Sequence, residues 1–375
     1  MPSILKSRLV WFLSITFAVL LIWWIWLNST GRTGIVLHYT MFNLSYAFLL
    51  ALVGGVAGII YFRRWGGWGS AMGRGILFVS LGLLGQWLGT VIWSYYALFA
   101  GIEIPYPSLA DIGYFSLIPF NILAIINFAR VVGARFSFKK ISDIVIAVGI
   151  PFVFLIFSYR IFLADYEFDF NAPLTIFLDF AYPLGEVFMI SLALLIFLLS
   201  RNYLGGIMKN RIRLVIFALF GQYLSDFIFL YQASRGILEN SGTTDLVYTT
   251  SFFITSLGLV VLGRYEGIRL VAKDETPSVA RVWNERDMVV TAIVREQAAV
   301  IGPIAWYEAK QVEGLAVDTQ KREVYLLQDK PRELLENLSM RFENLFGKAS
   351  LEVSRSAIRP ILPQVTREEI PEKLQ

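Results

Sequence analysis

Eight long apolar runs, separated by short polar connections, constrain this chain more than any other feature it has. A helix needs about 20 mostly apolar residues to cross a hydrocarbon layer roughly 30 Å thick. Eight segments qualify: Leu9–Leu27, Met41–Phe62, Ile76–Phe99, Ile112–Val132, Ile144–Leu163, Leu174–Ser200, Leu214–Ala233 and Leu246–Gly263. Composition agrees, with 56% hydrophobic and 17% charged residues and a mean hydropathy of +0.59. Soluble domains average roughly 45–50% and about 25%. From Glu266 onward the text turns charged, as in Arg281-Val-Trp-Asn-Glu-Arg-Asp287 and Lys330-Pro-Arg-Glu-Leu-Leu-Glu336. The expected architecture is an all-α polytopic membrane bundle over residues 1–265, followed by a linker over 266–283. A small cytoplasmic α+β domain over 284–362 and a flexible tail over 363–375 complete it.

Basic residues set the orientation, because Lys and Arg are retained on the cytoplasmic side during insertion. One side carries Arg63, Arg64 and Arg74, then Arg135, Lys139 and Lys140, then Arg201, Lys209, Arg211 and Arg213, then Arg264, Arg269 and Lys273. The other side holds Arg32 and Arg235 with the acids Glu103, Asp111, Asp165, Glu167, Asp169, Glu239 and Asp245. Both termini are therefore expected in the cytoplasm of a multi-pass plasma-membrane protein. Helix 1, preceded by Lys6, reads as a retained anchor, since its apolar core outlasts a signal-peptide core and no small-x-small site follows.

The bundle repeats itself in outline. Gly85-Gln-Trp-Leu88, Tyr95 and Ala110-Asp-Ile-Gly-Tyr114 match Gly221-Gln-Tyr-Leu224, Tyr231 and Thr244-Asp-Leu-Val-Tyr248 in order. Asn43-Leu-Ser-Tyr46 likewise echoes Asp179-Phe-Ala-Tyr182. Two tandem four-helix units in parallel topology, about 1–140 and 141–265, are the expected origin of the pattern.

Absent residue types exclude several chemistries. Without cysteine there is no disulfide, thiolate metal site or cysteine nucleophile. A single histidine, His38, rules out a multi-histidine metal or haem site within one chain and is expected in a solvated loop or helix start. No metal and no cofactor is expected, and a formal charge of +4 is too small to indicate nucleic acid. Gly-x-Ser-x-Gly, His-Glu-x-x-His and histidine-box arrangements are missing, so no catalytic residue is assigned.

An acid at mid-membrane costs about 2.5–3.5 kcal/mol on insertion scales, so polar residues inside apolar helices call for a partner, a cavity or an interface. Gln86, Asp179, Glu186, Gln222 and Asp226 occupy such places. Gln222 and Asp226 share a helix face, as do Asp179 and Glu186, with Pro183 and Gly185 between the latter pair expected to loosen the helix. Two readings stand: an outward-opening polar cavity with Asp111 and Asp245 at its rim, or hydrogen bonding between helices that holds the bundle together. The ligand-binding candidates are Gln86, Trp93, Asp111, Tyr114, Asp179, Tyr182, Glu186, Gln222, Asp226 and Asp245. The many tryptophans and tyrosines near helix ends read as an interfacial aromatic belt.

Three of these stretches resemble a family. Ile104-Pro-Tyr-Pro-Ser-Leu-Ala-Asp-Ile-Gly-Tyr114 after Trp93-Ser-Tyr-Tyr96, then Asp179-Phe-Ala-Tyr-Pro-Leu-Gly185, then Ser225-Asp-Phe-Ile228 are similar to signatures of multi-helix membrane input domains. Such domains precede diguanylate cyclase and histidine kinase modules in prokaryotic signalling proteins. Their second signature often carries a further Asp where this chain has Glu186. The resemblance spans about Leu77–Gly263 and implies a receptor role without naming a ligand. Downstream this chain departs from the family: it has neither a Gly-Gly-Asp/Glu-Glu-Phe turn nor a cytoplasmic phosphoacceptor histidine.

The C-terminal domain reads as helices over Glu285–Val312 interrupted at Gly302-Pro303, strands at Gly314–Asp318 and Glu323–Leu327 around a Thr319–Arg322 turn, and an amphipathic helix from Pro331 stopped by Gly347. A further helix is expected over Ala349–Ile358. Its expected partners are a cytoplasmic signalling protein or a second copy in a homodimer, while the bundle's partner is the lipid bilayer. The functional expectation is a non-catalytic membrane sensor with an outward-facing input domain and a cytoplasmic interaction module. The alternative is a transporter using the acids of helices 6 and 7.

Overall fold

A computed structural model describes residues 7–100, 104–131, 141–164, 166–200, 209–237, 241–263, 284–346, 348–364 and 367–375. Outside these lie the expected linker, the bases Lys6, Arg135, Lys139, Lys140, Arg201, Arg264, Arg269 and Lys273, the acids Glu103, Asp165 and Glu239, and Gly347.

Within them, eight helices are long and apolar enough to cross a membrane: α1 Arg8–Ser29, α2 Val36–Arg64, α3 Ala71–Ala100, α4 Ala110–Val131, α5 Val145–Leu163, α6 Pro173–Leu198, α7 Asn210–Ser234 and α8 Thr243–Gly263. They fit a multi-pass membrane protein. Serine side chains open two of them, Ser7 accepting from Val10 N at 3.2 Å and Ser70 from Gly73 N at 2.9 Å. Pro183, expected to loosen α6, does not interrupt it: the helix runs on through the proline. Wider π turns occur instead in α2 at Ala47–Leu52 and at the ends of α3 and α5.

Six helices close a ring in the order α2, α3, α4, α6, α7, α8 and back to α2, with α1 against α8 and α2, and α5 against α6. Glycine sets the closest seams. A Cβ on Gly113 of α4 would stand 2.5 Å from Gly89 N and 2.6 Å from Gly85 O of α3. On Gly54 of α2 it would lie 2.9 Å from the Ser256 Cα of α8. Small residues at four-residue spacing let helix backbones touch where hydrophobic driving force between helices is weak. The peripheral α5 turns Val148, Phe152 and Val153 outward, each more than half exposed, as a lipid-facing helix would.

The C-terminal domain follows its expected plan. Helices α9 Glu285–Ile301 and α10 Ile304–Lys310 are separated at Gly302, whose φ of 73° few other residues adopt. Strands β1 Leu315–Asp318 and β2 Glu323–Leu326 pair antiparallel, Leu315 opposite Leu326 and Asp318 opposite Glu323. The Asp318 carboxylate accepts from Gln320 N and Lys321 N, both at 3.0 Å, and so closes the turn. Helices α11 Pro331–Phe346 and α12 Lys348–Ile358 complete the unit, with Leu338, Phe342, Ile293 and Val294 buried at its centre. Asn284 and Asp287 form a capping box on α9, and Asp287 also accepts from Leu326 N at 2.8 Å, tying helix to strand.

Residues 367–375, expected as a flexible tail, instead pack against this domain. Ile370 and Leu374 are buried, Arg286 donates twice to the Glu369 carboxylate at 2.6 and 3.1 Å, and Arg355 donates to Lys373 O at 2.9 Å. Two apolar side chains at the right spacing are enough to anchor so short a segment.

Bundle and domain share a joint. The turn after α2 places Trp65 and Gly66 directly beneath Gly302, where an added Cβ would stand 2.6 Å from the Trp65 carbonyl carbon and 3.1 Å from Gly66 N. Trp65 is fully buried, and its indole N–H donates to Leu262 O of α8 at 3.3 Å.

Candidate functional site

The predicted acids gather in the half of the bundle away from the C-terminal domain, and neutral donors meet Asp111, Asp179, Asp226 and Asp245. Asp111, at the start of α4, accepts from Tyr182 of α6 at 2.9 Å and from Ser108 N at 2.7 Å. Asp245, at the start of α8, accepts from Tyr46 of α2 at 3.3 Å and from Ser241 N at 2.6 Å. In each case the backbone bond caps the helix that carries the aspartate, and the tyrosine comes from a helix of the other half of the chain. Tyr182 to Asp111 and Tyr46 to Asp245 are thus the same contact made twice, at the two seams where the halves of the chain meet.

Asp179 takes two phenols, Tyr106 at 2.7 Å and Tyr166 at 2.8 Å, each from a connecting loop. Burial first, and then the bond to Asp179, pushes the Tyr106 hydroxyl above its ordinary value, and the same two causes raise Tyr166. Asp226 of α7 accepts from Tyr248 of α8 at 2.7 Å and from Gln222 one turn before it at 3.0 Å, and it hydrogen-bonds Glu186 of α6. Oε2 of Glu186 is buried with no donor to it. Tyr114 bonds Thr90, its ring lying over Gly89 where a Cβ would be 2.6 Å away.

Eight of the ten predicted residues therefore take part in this polar layer: Asp111, Tyr114, Asp179, Tyr182, Glu186, Gln222, Asp226 and Asp245. Gln86 is buried on α3 four residues before Thr90, whose hydroxyl donates to the Gln86 carbonyl at 2.9 Å. Trp93 packs its ring on Tyr39 at 6.0 Å. The sequence reading missed Tyr46, Tyr106, Tyr166, Tyr248 and Thr90 as members of the site. Two of these stood in the repeated Asn/Asp-x-x-Tyr pattern and were legible there. Tyr106 and Tyr166 sit in loops, where nothing in the sequence ties them to Asp179.

Of the two readings, these contacts are of the kind that holds helices together: tyrosine hydroxyls donate to the carboxylates of Asp111, Asp179, Asp226 and Asp245. A cleft of about 550 Å³ lies elsewhere, on the C-terminal domain between Arg286, Lys330, Glu333 and Glu368. Among the described residues no group of three or more His, Cys, Asp or Glu is placed to hold a metal ion. No family model, curated protein or solved structure matches the chain.

Proposed function

We propose that the chain is a non-catalytic membrane sensor whose bundle holds the input and whose C-terminal domain passes it to a cytoplasmic signalling protein or a second copy. The observation that carries this reading is the joint at Gly302. Helices α2 and α3 bear Tyr46 and Thr90 in the polar layer, and the turn between them, at Trp65 and Gly66, touches the backbone of the C-terminal domain. A rearrangement of the polar layer that shifts α2 against α8 has a packed route to that domain. The end of the bundle at the joint carries Arg63, Arg64, Arg74 and Arg213, which supports a cytoplasmic placement for it. The resemblance to membrane input domains supports the same role. The matching Tyr182–Asp111 and Tyr46–Asp245 contacts support a tandem duplication of a four-helix unit.

The absence of cysteine makes a direct test simple, since introduced labels are unique. Spin labels at Glu336→Cys and Arg63→Cys report the distance between domain and bundle. We expect Asp226→Asn to shift that distance distribution in lipid vesicles, and an unchanged distribution would sink the reading.

A second reading, transport, is favoured by the contact between Glu186 and Asp226 inside the ring. Uptake lost in Asp179→Asn or Asp226→Asn, and retained after deletion of residues 285–375, would establish it instead.

A further inference from the structure

We infer that Glu186 and Asp226 form a buried proton-binding site, with the proton carried by Glu186 and directed at Asp226. The assignment begins with donors and acceptors. An ionised carboxylate only accepts, so two carboxyl groups hydrogen-bonded to each other must hold a proton between them. Asp226 already accepts on both oxygens, from Tyr248 and from Gln222, which leaves it the acceptor here as well. Glu186 is therefore the donor. Glu186 is only 4% exposed, and its Oε2 is buried with no donor to it. A structural strut would be expected to satisfy both oxygens, because an unpaired polar atom in such a place costs roughly 1–3 kcal/mol. A proton on this carboxyl supplies the donor that its contact with Asp226 requires.

A comparison between the two halves points independently to the same pair. The register that matches Tyr46 with Tyr182 also matches Leu50 with Glu186, four residues further on in each. The register that matches Gln86 with Gln222 also matches Thr90 with Asp226. Tyr114 meets Thr90 in the first half just as Tyr248 meets Asp226 in the second. The polar frame is thus built twice, and a hydroxyl beneath the tyrosine serves the first copy. Only the second copy places two carboxyls there, and a frame that stands without them leaves them free for another task.

Among the described residues the other titratable groups at the pair are phenols: Tyr182 on α6, Tyr223 on α7 and Tyr248 on α8, with Tyr46 of α2 behind Tyr248. From α5 the facing side chains are Phe154 against Tyr223, and Phe157 and Phe162 against Phe227. This apolar wall leaves a proton as the ligand that fits.

The proton site and the signalling role fail separately, because the decisive measurement reads the proton and not an output. Infrared difference spectra of the purified full-length protein, recorded over a pH series, should show the carbonyl stretch of a buried protonated carboxylic acid that disappears as pH rises. Glu186→Gln should abolish that band and Asp226→Asn should shift it. Asp111→Asn and Asp245→Asn should leave it in place. A wild-type protein lacking the band at every pH overturns the inference without recourse to any variant. So does a band that survives in Glu186→Gln, or one that added Na⁺ displaces at constant pH, which would mark a metal-cation site.

Discussion

The helical bundle and the C-terminal domain bury polar and apolar groups by opposite means. In the bundle the closest contacts are glycine on backbone, as at Gly113 against Gly85 and Gly89, and carboxyls are met by neutral hydroxyls. In the domain, branched and aromatic side chains fill the centre, and charges pair at the surface, as Arg286 does with Glu369 and Asp329. Water explains the difference. A soluble domain gains about 25 cal/mol for each Å² of apolar surface removed from water. Helices already surrounded by apolar surroundings gain little that way and rely on close approach and hydrogen bonds. The same residue type therefore carries different weight in the two regions.

Substitutions can break that contrast in order of size. Gly113→Leu forces a branched side chain into the α3 backbone and should leave no folded bundle, read as loss of the monodisperse peak in detergent. A protein that elutes normally would show that the α3–α4 seam is looser than its geometry. In the domain the matching test removes volume: Leu338→Ala, at a fully buried site, should cost about 2–5 kcal/mol in a denaturant titration of the domain's signal. Gly302→Val should leave both regions folded yet weaken their joint, since φ of 73° and the Trp65 carbonyl both oppose a side chain. Limited proteolysis at the joint, faster than in wild type, is the expected readout.

The two tyrosine–aspartate contacts at the seams sharpen the comparison between halves. Tyr46→Phe and Tyr182→Phe each delete one hydroxyl donated to an aspartate and should each lower thermal stability by about 0.6–1.7 kcal/mol. Equal losses are expected if the halves are equivalent, and a large inequality would argue against the duplication. Smallest is the alkaline effect at the loops. Tyr106 and Tyr166 hold their protons more tightly when folded than the ordinary value of 10.0 allows. Their contribution is full below that pH and is lost as pH rises through the higher folded value. Ultraviolet titration should show two fewer late-ionising phenols in Asp179→Asn than in the wild type.

Much of this was open to reading in the chain itself. The eight helices, the Gly302 break, the Asp318 turn and the amphipathic α11 all follow from local rules of length, periodicity and turn chemistry. Gln86, Asp179, Glu186, Gln222 and Asp226 stood out because a carboxyl or amide in an apolar helix is costly wherever it points. The partners were harder to see. Tyrosine is common at helix ends for interfacial reasons, so Tyr106 and Tyr166 gave no sign of reaching Asp179. The packing of Ile370 and Leu374, in the segment expected as a flexible tail, was not legible because it depends on distant residues such as Arg286 and Arg355.

What the sequence alone determined is which segments are helices and which polar groups demand a partner, since both are set by each residue's own chemistry and its near neighbours. Only the tertiary structure decided who the partners are. It closed six helices into a ring, crossed Tyr46 to Asp245 and Tyr182 to Asp111, and brought Glu186 against Asp226. Those choices depend on which backbones approach closely enough, and that is settled by packing across the whole bundle.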